Sequence, residues 1–292
     1  MKLRVRPAVT AAIVCVLPIL IVPVQTHAAV AYYSLSRLRV SDTATVVARW
    51  NPCQPAITYR INAAVAASTS RGRLAAIADT RTAMSKLSYA TGIKFQYLGT
   101  TTRTPNGLLW WQHLGDAELV IAWVDQSQAA HRSDLLLKSS KGWLVGTGGW
   151  HAWRWGSYGG YRAGAAIVRG FVVLNSAERN HFATDFTSGI TRGELLLHEL
   201  GHVAGLLHVP YTSQMMYPIL IWRSQTRYFS GDLQGLRLVG RTAGCITIPP
   251  WANAPVDLPS PATLKLIPLP QRAVDLSLPA DAFGSQPGVS SR

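Results

Sequence analysis

Hydrophobic and polar residues alternate along 56–63 (Ala-Ile-Thr-Tyr-Arg-Ile-Asn-Ala), a two-residue period that predicts a strand with one buried face. From 72 to 91 the period lengthens: Leu74, Ile77, Ala78, Arg81, Met84, Leu87 and Ser88 fall at helical spacing, and Gly92 ends the run. Alternation returns at 93–98 (Ile-Lys-Phe-Gln-Tyr-Leu). The stretches 117–124 and 165–174 are almost continuously apolar, as in strands covered on both faces. Thr191 followed three residues later by Glu194 forms a capping box, so a further helix should begin near 192. The order strand, helix, strand, strand, strand, helix predicts an α/β domain built on a twisted, mostly parallel sheet.

Between the last two strands, 126–164 breaks both periods. It holds Trp143, Trp150, Trp153, Trp155, Tyr158 and Tyr161 among many glycines. We read it as a Gly/Trp-rich insertion, a long loop folded over the sheet by its own aromatics; the other reading is an aromatic surface for a glycan or a substrate. The ends have different compositions again. Lys2, Arg4 and Arg6 precede an apolar run over 7–24, and Ala29-Val30-Ala31 gives an A-x-A pattern, with Thr26-His27-Ala28 as a second candidate site; 1–31 reads as an export signal. Residues 249–292 carry nine prolines and little periodicity, and read as an extended tail. The folded domain is therefore expected within 32–248, secreted, with no membrane anchor once the signal is removed.

Composition narrows the classes. At 48% apolar residues the chain is not intrinsically disordered. Three cysteines exclude a disulfide-dense scaffold; Cys15 lies in the signal, leaving Cys53 and Cys245 as one expected disulfide between the start and end of the domain. The net charge of +14 is compatible with an anionic cell-wall surface or acidic protein substrates. Its Lys and Arg residues are scattered without a basic run, which argues against nucleic acid.

The chemistry is concentrated in 191–208, Thr-Arg-Gly-Glu-Leu-Leu-Leu-His-Glu-Leu-Gly-His-Val-Ala-Gly-Leu-Leu-His. On a helix starting near 192, His198 and His202 lie one turn apart on one face and can grip one metal ion. Glu199, one position on, can reach a water held by that ion without ligating it. Gly205 can end the helix in a left-handed conformation and let His208 return as a third ligand. Three imidazoles plus a water make the open tetrahedral arrangement of a catalytic Zn2+ site.

The full pattern HExxHxxGxxH resembles the metzincin clan of zinc peptidases, in which a methionine turn follows. Met216-Tyr217-Pro218 stands at the matrixin distance beyond His208, so the resemblance makes Met216 the turn methionine and places Tyr217 and Pro218, with Leu197, around the substrate pocket. Ser230–Leu236 resembles the start of the matrixin C-terminal helix and Ile57–Ile61 the family's first strand; by the same analogy the substrate-binding edge comes from 143–150. The resemblance implies a metzincin-like fold with an active-site helix and a C-terminal helix, a protein or peptide substrate, and Glu199 as general base. Matrixins also carry a structural zinc and calcium ions. Between 126 and 184 only Asp134 and Glu178 are acidic, so one catalytic zinc is expected, with neither a second zinc nor calcium. No cysteine is placed to block the zinc from a propeptide. The reading is a secreted zinc endopeptidase. The alternative, a non-enzymatic wall- or glycan-binding protein on the same scaffold, leaves the intact Glu199 without a chemical purpose.

Overall fold

The computed structural model describes residues 32–126, 131–136, 138–139 and 142–253; the expected signal and the tail beyond 253 lie outside them. The predicted strands form as β5 (Ile57–Asn62), β6 (Phe95–Thr100), β7 (Leu119–Val124) and β11 (Gly164–Asn175). The first long helix is α1 (Ser70–Thr91), two residues longer at its start than the periodicity indicates, because Thr69 caps it by accepting a hydrogen bond from the Gly72 amide (3.0 Å).

With β10 (Gly146–Trp155), the central sheet runs β10–β11–β7–β5–β6. Its β6, β5, β7 and β11 are parallel neighbours, and β10 joins antiparallel at one edge. A short β4 (Arg49–Trp50) also pairs parallel with β11, while β2 (Arg37–Arg39) with β3 (Thr45–Val47) and β8 (Lys138–Ser139) with β9 (Gly142–Trp143) form separate antiparallel pairs. The α/β class with a mostly parallel sheet is thus as expected. The part of the insertion read as a loop is not: ten of its residues are the edge strand β10, its register broken by an irregularity between His151 and Ala152. Trp150 and Trp155 therefore pack as buried strand residues. Periodicity does not mark this strand, because glycines at 146, 148 and 149 remove the alternating side chains; only the family analogy, with its edge at 143–150, overlaps it.

Strand β7 explains its own unbroken apolar run. Leu119, Ile121 and Trp123 point into a core shared with the helices, whereas Val120, Ala122 and Val124 point into a second cluster with Trp110, Leu136 and Phe171. The helical face of the sheet is covered by α1 and by α2 (Arg192–Val203), which pack on each other. A last helix, α3 (Ser230–Val239), packs against α1. Cys53 and Cys245 form a disulfide (Cα–Cα 5.3 Å) that ties the chain after β4 to the chain after α3. Asn51 reinforces it by exchanging hydrogen bonds with the Ile246 backbone, and Arg49 donates to the carbonyls of Ala243 and Gly244. No helix among the described residues is long and apolar enough to cross a membrane.

Candidate metal centre

Helix α2 begins where the capping residues place it. Thr191 Oγ1 accepts from the Glu194 amide (3.0 Å). The capping box is only half realised, however, because the Glu194 carboxylate turns away and accepts from Arg223 Nε (2.8 Å). The helix ends at Val203, and Gly205 takes a φ of +101°, where an added Cβ would stand 2.8 Å from the Ala48 carbonyl oxygen, so a side chain there would be strained and crowded. The chain then reverses. Residues β12 (Leu206–Leu207) pair antiparallel with β1 (Ser34–Leu35), and the Ser36 amide donates to the Gly205 carbonyl (2.8 Å). The Val209 amide donates to the Met216 carbonyl (3.0 Å). Between these two anchors stands His208.

His198, His202 and His208 converge, with one ring nitrogen from each lying within 4.8 Å of the others. His208 Nε2 is 3.2 Å from His198 Nε2 and 3.1 Å from His202 Nε2. Two of the rings are oriented from behind: His198 Nδ1 faces the Met215 carbonyl (2.8 Å) and His202 Nδ1 the Leu206 carbonyl (2.9 Å). A carbonyl only accepts, so each Nδ1 carries the proton and each Nε2 presents a lone pair to the same point. Such lone pairs repel unless a cation lies between them. Tetrahedral Zn–N bonds of about 2.05 Å would place the nitrogens about 3.3 Å apart, close to the observed spacing. Burial reinforces the neutral form: it pulls His198 well below the usual imidazole range, His202 down to about 4 and His208 to about 3. The donor set therefore fits a metal ion, and among the described residues it is the only group of three or more metal-ligating side chains so placed. His113, His131, His151 and His181 do not join it; His151 stacks on Trp111 (4.1 Å) and His181 pairs with Glu178 (2.7 Å).

Glu199 is fully buried, and neither carboxylate oxygen makes a hydrogen bond. Burial pushes its carboxyl up to about 8, offset in part by the nearby Gly148 amide. Its wall is β10. A Cβ at Gly146 would stand 2.9 Å from Glu199 Oε1, and one at Gly148 would run into the Glu199 carbonyl, so this edge strand approaches α2 only because those positions lack side chains.

Beneath the histidines, Met216 Sδ presses against Gly201, where a Cβ would overlap it. Asp232 at the start of α3 fixes this turn, accepting from the amides of Met215 (2.7 Å), Met216 (3.2 Å) and Phe229 (2.9 Å). Arg223 ties the turn to α2: besides Glu194 it donates to the carbonyls of Thr212 (2.8 Å) and Gln214 (2.7 Å). Leu197 is fully buried, its carbonyl accepting from Tyr228 Oη (2.8 Å), while Tyr217 and Pro218 are half-buried. Sequence reading missed Arg223 and Asp232. The available signal was Glu194, an acid on a helix whose other residues are mostly apolar, which demands a buried cation.

A search of curated proteins finds no match. The family model for matrixin, peptidase M10, matches residues 116–238, a span that contains β7, β10, β11, the three histidines, the methionine turn and nearly all of α3. Helix, returning histidine, methionine turn and family match agree: over residues 116–238 the chain is matrixin-like, similar to a family of zinc metallopeptidases.

Proposed function

We propose that the protein is a secreted endopeptidase that holds one zinc ion on His198, His202 and His208 and uses Glu199 as general base. The observation that carries this reading is the convergence of three histidine Nε2 atoms, two of them left proton-free by Nδ1 contacts to backbone carbonyls, beside a buried carboxylate with no side-chain partner. Zinc bound there would acidify a coordinated water from a pKa of about 16 toward about 7 and polarise a peptide carbonyl. Glu199, which no other side chain engages, would take a proton from a water there and later deliver it to the leaving amine. His198 and His202 keep their rings aimed because backbone carbonyls hold their Nδ1 protons. The free side of β10 supplies main-chain donors and acceptors for an extended substrate lying beside Glu199. Leu197, Tyr217 and Pro218 would border the pocket for the residue after the scissile bond. Export rests on the signal-like segment 1–31.

The test is metal analysis together with cleavage of a quenched peptide library. Glu199→Gln should retain one zinc per chain and lose roughly 10² to 10⁴ in rate. Undiminished cleavage in that variant would overturn the assignment.

A further inference from the structure

At the edge of the sheet opposite β10, α1 and β6 enclose an open groove of about 960 Å³. Four inter-strand steps of about 4.8 Å put it roughly 19 Å from β10, so it is separate from the metal centre. Tyr59, Phe95 and Tyr97 line its strand side, Thr82 and Ser85 its helix side, and Arg81 and Lys94 flank it. No acidic residue lines it. Asp79, the acid nearest in sequence to Arg81, is committed to Arg192. Arg81 and Lys94 are exposed and make no ion pair among the described residues. The Arg81 guanidinium lies over the Tyr97 ring, 5.2 Å from its centroid. A guanidinium held against an aromatic ring has lost much of its rotational freedom, and presents a pre-oriented fork to a carboxylate.

We propose that this groove docks an acidic peptide segment, with Arg81 and Lys94 receiving its carboxylates. One observation favours a peptide over an acidic polysaccharide: among the described residues β6 pairs with β5 alone, leaving an outer edge whose main-chain groups a peptide can match and a polysaccharide cannot. The excess of basic over acidic residues in the chain acts in the same direction by drawing acidic segments toward the surface.

The experiment is fluorescence anisotropy with a fluorescein-labelled octapeptide of alternating Glu and Ala. It uses the full chain carrying Glu199→Gln so that the probe survives, and therefore reads binding whether or not the protein is a peptidase. The same peptide with Gln for Glu should bind at least tenfold more weakly. Arg81→Ala with Lys94→Ala should weaken the acidic probe at least tenfold, while removing two exposed charges elsewhere, Arg37→Ala with Arg237→Ala, should leave it unchanged. Equal losses from the two double variants would show that only net charge matters and overturn the proposal. So would tight, Arg81-dependent binding of polygalacturonate with no binding of the peptide.

Discussion

Replacing Arg223 by methionine keeps its aliphatic stem and removes its guanidinium, which tests how the methionine turn is fastened to α2. Two effects separate by pH. The carbonyls of Thr212 and Gln214 lose their donors at every pH, a cost of about 3 kcal/mol for two charge-assisted bonds. The second effect runs through Glu194, whose carboxyl burial already pushes up to about 7, with Arg223 holding it down. A carboxyl raised in the folded state binds its proton more tightly there than in the unfolded chain. Its stabilising contribution is complete below the unfolded pKa of 4.5 and is lost as pH rises through the folded value. The parent protein thus loses about 1.4 kcal/mol per pH unit between those limits and then levels off. Without Arg223 the folded pKa climbs further, so the variant keeps losing stability where the parent has stopped. The difference in unfolding free energy, measured by urea denaturation of zinc-loaded protein at pH 6, 7, 8 and 9, should be flat up to about pH 7 and then widen by about 1.4 kcal/mol per unit. Groups common to both chains cancel in that difference. Adding Glu194→Gln should abolish the widening. A penalty that stays constant from pH 6 to pH 9 would refute the claim that Arg223 balances a buried charge.

Other outcomes follow from the packing and the metal site. Gly201→Ala should cost about 1–3 kcal/mol by driving a methyl into Met216 Sδ, and Met216→Ala in the same chain should recover part of it in thermal melts. Cys53→Ala with Cys245→Ala opens a loop closed across a sequence separation of 192 residues, and by chain entropy should lower unfolding free energy by about 5 kcal/mol. Chelation should lower the melting temperature and re-addition of zinc restore it, with about 4 kcal/mol at stake when free zinc is a thousandfold above its dissociation constant; a melt indifferent to chelator would count against the histidine site.

The sequence disclosed what local rules govern. Residues 57–62, 119–124 and 164–175 were readable as strands because burial on one or two faces writes its period directly into the side chains. The three histidines were readable because their spacing is set by one helix turn and one glycine stop. What could not be read is whatever depends on partners remote in the chain. Strand β10 exists because glycines allow it to approach Glu199, and glycine carries no strand signal. Glu194 looked like a capping residue until Arg223, twenty-nine positions on, claimed its carboxylate. Asp232 lies in a helix start that the family resemblance located, yet its three bonds to the amides of Met215, Met216 and Phe229 are invisible without the fold.

The pairing of β1 with β12 bears on the order of assembly. The three histidines fall within eleven consecutive residues, but the strand that positions His208 is residues 34–35, more than 170 positions earlier. Such a contact cannot form until almost the whole domain is available, and pairings of this span slow folding. The strand that positions His208 thus leaves the ribosome long before any of the ligands, and the three histidines are held together only once a loop of more than 170 residues has closed.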